Sequence, residues 1–394
     1  MSHQITACYK SICAAYNFCH ASDVFFTVTT TNCVFRADTE NITCNFTNST
    51  LTHNGTNAAF LTKDSAYSTM NFTNSTITYT EGAKVTTENN VGNESVFNYG
   101  KTAASPNTLN FINTTIDYQA TDEGSSYSHQ IICHQATGEL NITTNSKTEF
   151  HYNYAGSDTN NYFIKSNGTL NLTDNGAAWI VGENAVTTGV ALTNTGDYVA
   201  IKDADGDLYN PNKLTAGTYT SPVVMGLTNS KGASIKIPAS TNDTASIRFV
   251  ANMDADFFTA LGGVSALQNG KLVLGSIVTA DADFAGDFAS ATTLSTTTKD
   301  NSNWKWLTMN DSDVPTSYGV ALYNIQDNTK TYCVTAYVTV TYADGTTATY
   351  YADYDTTANA RSVQQVASAA AESGNYTGET LTALQALAGT DEGN

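Results

Sequence analysis

A three-residue signature recurs through the first half of the chain and limits what that half can fold into. Cys44-Asn45-Phe46 returns as Met70-Asn71-Phe72, Leu109-Asn110-Phe111, Leu140-Asn141-Ile142 and Leu170-Asn171-Leu172. The central asparagines follow one another at steps of 26, 39, 31 and 30 residues, a spacing that suits stacked supersecondary units. Apolar residues flank each asparagine, so at strand period they face inward and the asparagine outward. A second asparagine follows three or four residues on: Asn48, Asn74, Asn113, Asn145 and Asn175. Asparagine tolerates the left-handed backbone region that a corner between two short strands requires. New strands then follow, as in Ser75-Thr76-Ile77-Thr78-Tyr79 and Thr114-Thr115-Ile116-Asp117-Tyr118.

This order of strand, asparagine corner, strand and loop resembles the right-handed parallel β-helix of adhesin-like and pectate-lyase-like proteins. The resemblance covers roughly residues 25–240. Leu192-Thr193-Asn194 and Ala233-Ser234-Ile235-Lys236-Ile237 read as further rungs. The alternative for the same stretch is a set of antiparallel hairpins whose asparagines merely reflect biased composition.

A second region begins near Thr241 with Ala245-Ser246-Ile247-Arg248-Phe249-Val250-Ala251. The alternating, β-branched run Tyr332–Tyr342 reads as a strand, and Asp344-Gly345 marks its hairpin turn. Tyr350–Tyr354 and Ala360–Ala367 follow. This series of motifs resembles a C-terminal β-rich module of surface and secreted proteins of Firmicutes such as clostridia and ruminococci. There it is an accessory part, so the resemblance implies an attachment or architectural role. Val363, Val366 and Ala370 share one helical face, and Leu381, Leu384 and Leu387 share another, with Gly374 and Gly378 between them. These helices either cover a sheet edge or dock onto a neighbouring subunit.

The expected fold is therefore mainly β: a right-handed parallel β-helix, then an Ig-like β-sandwich with short C-terminal helices. The expected segments are a Cys-rich start (1–24), the β-helix (25–240), the sandwich (241–372) and a helical tail (373–394).

Only 13% of residues are charged, about half the usual share, and the formal net charge is -19. Such a surface repels nucleic acid and anionic membranes, because both carry negative charge. No apolar run is long enough to span a membrane. Met1–His20 lacks the basic end and apolar stretch of a secretory leader. The expectation is a removed leader or another exit route, a virion component among them. Five of the seven cysteines crowd the start: Cys8, Cys13, Cys19, Cys33 and Cys44. No paired CxxC suggests zinc. They are candidates for disulfides within or between subunits, or for small buried hydrophobes.

Catalytic residues are not assigned. None of the six histidines lies in an HExxH motif, and no GxSxG elbow is present. Pectate-lyase-like enzymes use clustered carboxylates with a basic residue, whereas Arg36 is the sole arginine of residues 25–180. Asp203, Asp205 and Asp207 alternate around Gly206 like part of a calcium loop. The glycine stands two places early for an EF-hand, so a solvated acidic turn is the competing reading. No other cofactor is expected. Asn45, Asn71, Asn141 and Asn171 begin N-x-[ST] sequons and are glycosylation candidates. The same asparagine and threonine columns suit a β-helix, and would also suit binding of polysaccharide or ice. Trp304 and Trp306 flank Lys305 and form a candidate sugar platform.

The expected protein is a non-enzymatic extracellular or cell-surface subunit that assembles with copies of itself into a filament or surface layer. A β-helix leaves strand edges open at its ends, and end-to-end stacking would pair them. The alternatives are a monomeric adhesin that binds polysaccharide or a host surface, and a phage or viral fibre.

Overall fold

The computed structural model describes residues 3–6, 18–22, 24–28, 33–37, 41–54, 58–62, 65–80, 95–120, 129–154, 160–183, 188–230, 232–239, 243–284, 286–300, 308–309 and 315–389. The chain divides into two compact units, Met1–Pro222 and Val223–Asn394.

The first unit opens with β1 (His3–Thr6) and continues as six triplets of strands. These are β2 (Phe18–Ser22), β3 (Val24–Val28) and β4 (Phe35–Ala37); β5 (Ile42–Thr47), β6 (Thr50–His53) and β7 (Phe60–Thr62); and β8 (Ser68–Thr73), β9 (Thr76–Thr80) and β10 (Ser95–Tyr99). They continue as β11 (Asn107–Ile112), β12 (Thr115–Ala120) and β13 (His129–His134); β14 (Glu139–Thr143), β15 (Glu149–Tyr154) and β16 (Asn161–Ser166); and β17 (Thr169–Thr173), β18 (Ala178–Val181) and β19 (Ala191–Thr193). Each triplet gives one strand to each of three sheets, and each strand pairs with its counterparts in adjacent triplets. The pairing is parallel and local in register: Cys44 lies opposite Met70, Asn45 opposite Asn71 and Phe46 opposite Phe72. Antiparallel hairpins are thereby excluded among the six triplets, β2 to β19.

Parallel pairing explains why the repeated residues matter. Strands in a sheet lie ~4.8 Å apart, close to the preferred spacing of stacked rings. Phe46, Phe72 and Phe111 accordingly stack in a column at 4.9 and 5.6 Å. Phe60 and Phe97 stack at 5.0 Å beside it and meet Phe72 edge-on. Tyr79, Tyr118 and Tyr152 follow at 5.6 and 5.3 Å, and Phe150 stacks on Trp179 at 4.4 Å. All of these rings except Phe46 are essentially inaccessible to solvent, and Phe46 itself is buried.

After the sixth triplet the order changes. β20 (Tyr198–Asp203) and β21 (Leu208–Tyr209) form an antiparallel pair, and β22 (Gly217–Val224) joins β18 antiparallel.

The second unit contains β23 (Leu227–Asn229), β24 (Ser234–Lys236), β25 (Ala245–Met253), α1 (Ala255–Ala260) and α2 (Gly263–Gln268). Then come β26 (Leu272–Ala280), β27 (Ser295–Lys299), β28 (Thr308–Met309), β29 (Pro315–Ile325), β30 (Tyr332–Thr341) and β31 (Thr347–Tyr351). The chain ends in α3 (Thr356–Asn359), β32 (Ala360–Arg361), α4 (Val363–Glu372) and α5 (Gly378–Ala388). One antiparallel sheet is built on β25 and β29, the other on β26 and β30. Ile247, Val278, Val320 and Val334 from the two sheets share one core. The turn between β30 and β31 follows its sequence signal: Gly345 has φ 82° and Asp344 Oδ1 accepts from the Thr346 amide at 2.9 Å. Ser362 caps α4 reciprocally with Gln365, at 3.1 and 2.9 Å. α5 packs on α4 through Leu384, Ala388 and Ala367.

The segment limits differ from those expected. β1 and β2 of residues 1–24 are strands of the stacked sheets. Leu192 and Thr193 do continue the parallel series in β19. Ala233–Ile237 does not: β24 pairs antiparallel with β25, placing Ile235 opposite Ile247. The division therefore falls at 222/223 rather than 240/241, because β23 and β24 complete the β25 sheet. Residues 373–388 join the second unit through the α4–α5 packing.

Candidate functional site: an asparagine and threonine array

The outward positions of β5, β8, β11, β14 and β17 carry threonine and asparagine almost throughout. The inward positions of β5, β8 and β11 are buried, giving an alternation of buried and half-exposed residues. Along the outward rows the side-chain amides hydrogen-bond from strand to strand. Asn71 Nδ2 donates to Asn45 Oδ1 at 2.7 Å and Asn110 Nδ2 to Asn71 Oδ1 at 2.7 Å. Asn171 Nδ2 donates to Asn141 Oδ1 at 2.9 Å.

This ladder is interrupted in the middle. Asn110 lies opposite Thr143, and Asn141 lies opposite Thr108. The slip is two residues, so every side chain keeps its face. The five repeated motifs thus form ladders of three and two, a break that the sequence repeat does not reveal.

A second ladder runs along the corners. Asn74 Nδ2 donates to Asn48 Oδ1 at 3.1 Å, Asn113 to Asn74 at 2.9 Å and Asn145 to Asn113 at 3.0 Å. Asn48, Asn74 and Asn113 are left-handed, with φ 50°, 50° and 51°. The last two corners depart from that expectation. Asn145 is not left-handed and instead accepts from Thr148 Oγ1 at 2.9 Å, while Gly176, with φ 89°, takes the left-handed place after Asn175. The residue after each left-handed asparagine was not singled out in the sequence, yet it is built in. Ser49, Ser75 and Thr114 are buried and donate to the carbonyls of Thr47, Thr73 and Ile112 at 2.9 to 3.1 Å. The signal was present as the repeated Asn-Ser or Asn-Thr pair. The sequons at Asn48, Asn74 and Asn113 are completed one residue further on, by Thr50, Thr76 and Thr115, which open β6, β9 and β12.

The other candidates fall as follows. Asn45, Asn71, Asn141 and Asn171 all lie in the ladder. The amide nitrogens of Asn71 and Asn171 are donors within it, so a glycan there would break a ladder bond. Asp203 Oδ1 accepts from the amides of Asp205 and Asp207, both at 3.0 Å. Among the described residues no group of three or more His, Cys, Asp or Glu side chains is placed to hold a metal ion. Trp304 and Trp306 lie outside the described residues, as do Cys8 and Cys13. Cys19 lies in β2, opposite Cys44 in β5.

Within the chain the disulfide expectation is corrected for Cys33 and Cys44: neither they nor Cys133 and Cys333 form one. Cys44 takes an inward place in β5, fully buried in the apolar core. Burial pushes the Cys133 thiol up to about 11 and that of Cys333 up to about 12, and a thiol held protonated is a poor nucleophile.

In the second unit an open cleft of about 650 Å³ is lined by Ile235, Ile237, Val366, Leu384, Tyr376 and Arg361, among others. The Arg361 guanidinium is bound to the carbonyls of Thr357 and Ala360 at 2.6 and 2.7 Å. No described helix is long and apolar enough to cross a membrane.

No protein-family model, no curated protein and no solved structure matches the chain.

Proposed function

We propose that this is a non-enzymatic extracellular structural protein, a subunit that assembles with copies of itself into a filament, appendage or surface layer. The proposal includes the finer fold: the triplets of the first unit are the coils of a right-handed parallel β-helix, and the second unit is an Ig-like β-sandwich. The observation that carries it is the strand-upon-strand regularity of the first unit. Ring columns fill its inside, and hydrogen-bonded amide ladders run along the outer face of one sheet and its corner. Such a stack gains stability from each added layer and is extended by adding further strands in the same direction. Three of the histidines support a structural role as well: His134 is bound to Ser166, His129 to Tyr118 and His151 to Glu149. The resemblance of its C-terminal motif order to accessory modules of Firmicutes surface proteins suits a surface location.

Negative-stain electron microscopy and sedimentation of the full chain, over a wide concentration range, test the reading. Regular polymers whose length grows with concentration are expected. A protein that stays monomeric throughout sinks it.

The uncharged Thr and Asn array favours one second reading, a flat hydrogen-bonding surface for a neutral linear polysaccharide. Binding that disappears in an Asn71→Lys variant, without any polymer, would select it.

A further inference from the structure

Three sheets run through the first unit, and their C-terminal ends are finished differently. The first sheet continues through β22, β20 and β21. The β19 edge is met by the chain at Pro211 and Leu214: Leu192 N donates to Pro211 O at 2.6 Å and Val190 bridges Leu214. Among the described strands, the sheet containing β17 ends with it: β17 pairs with β14 and with nothing beyond.

The state of β17 is that of an unfinished layer. Leu170 and Leu172 hold the register positions of Leu140 and Ile142. The latter two are fully buried, whereas both leucines of β17 remain partly exposed. Thr169 N donates to Gly138 O at 3.0 Å, and Thr173 O accepts from Thr144 N at 3.1 Å. Strand alternation therefore turns the amides and carbonyls of Leu170 and Leu172 away from β14. Asn171 donates to Asn141 in the ladder, and no hydrogen bond to its own Oδ1 is formed by the described residues. By contrast, Asn45, Asn71 and Asn141 each accept from the asparagine of the next strand. Natural edge strands are normally blunted by Lys, Pro, a bulge or a covering loop. The strand Thr169-Leu170-Asn171-Leu172-Thr173 carries neither Lys nor Pro.

We propose that β17 is the docking edge for a second copy of this chain, and that the strand it receives is β2 of that copy. The proposal rests on the self-assembly reading above and names its joint. β2 is the opposite terminal strand of the same sheet and, among the described strands, pairs with β5 alone. Each strand of the sheet is added to the one before by parallel translation, so the outer edge of β2 offers β17 the donor and acceptor pattern that β17 offers β14. Parallel sense is kept, and the contact is head-to-tail, so it propagates rather than closing on a pair. Neither Phe18–Ser22 nor Thr169–Thr173 carries an Asp, Glu, Lys or Arg, so no like charges oppose the approach.

The test uses the full chain in three forms: native, Leu172→Pro and Leu172→Ala. Both variants lose the leucine side chain, and only the proline removes the outward amide. Native and Leu172→Ala proteins are expected to polymerise, with at least a tenfold loss of polymer in Leu172→Pro at the same concentration. Hydrogen exchange on the native protein gives a readout independent of variant folding. On polymerisation, protection is expected to rise together in the peptides spanning 169–173 and 18–22. Polymer that persists in Leu172→Pro, or protection that rises elsewhere, overturns the joint and leaves self-assembly standing. Native protein that never polymerises overturns both.

Discussion

His134 ends β13 with only 1% of its surface exposed, its Nδ1 2.8 Å from Ser166 Oγ and its Nε2 without a partner among the described residues. Burial disfavours the imidazolium and pushes its pKa down to about 4, against an ordinary value of about 6.5. The unfolded chain therefore binds the proton more readily than the folded one between these values. Stability attributable to this group is complete above pH ~6.5 and is lost as pH falls toward ~4, by about 3 kcal/mol. Urea midpoints measured at pH 7.5 and pH 4.5 should fall for the native protein and fall less for His134→Gln. Equal falls would assign the acid sensitivity elsewhere. The corner asparagines act at the same scale. Asn74, at φ 50°, stands where an alanine costs about 1–2 kcal/mol. Asn74→Gly should retain more stability than Asn74→Ala in thermal melts, because glycine removes the backbone strain; the reverse order would show that glycine's greater loss of backbone entropy on folding outweighs that strain.

At the scale of the element, the sequence repeat was legible because period-two alternation and in-register pairing act on the same residues. An apolar residue on each side of an asparagine specifies which face is buried, and the next copy of the motif specifies what lies above it. Phe46, Phe72 and Phe111 are separated by tens of residues yet stack at 4.9 and 5.6 Å. Two features were not legible. The slip between β11 and β14 preserves the inside–outside pattern, so no apolar residue betrays it. Ala233–Ile237 alternates like a rung, but alternation alone does not distinguish a parallel partner from an antiparallel one. Its place beside β25 was decided by the fit of Ile235 against the second core.

At the scale of the whole molecule, the chain comprises two units with separate cores, Met1–Pro222 and Val223–Asn394. Each core is sufficient in size to unfold cooperatively by itself. Calorimetry should resolve two transitions, and Ile247→Ala, in the core of the second unit, should lower one of them and leave the other in place. A single transition shifted as a whole would show that the units unfold together. The acidic, sparsely charged composition also acts here. With charges scarce on the strands at the two ends of the β17 sheet, backbone pairing meets little electrostatic opposition.

By itself the sequence determined the β class of the chain, the inward and outward faces of the first-unit strands, the left-handed corners at Asn48, Asn74 and Asn113, and the hairpin at Asp344-Gly345. These are local consequences of side-chain period and backbone sterics, and they need no knowledge of distant residues. Tertiary structure alone decided where one unit ends and the next begins, that Cys44 faces a core as a thiol, and that Asp203 caps its own turn. It alone left β17, among the described strands, with β14 as its one partner. Each of these depends on which strand lies alongside, and pairing across tens of residues is settled by packing and register rather than by any residue's own preference.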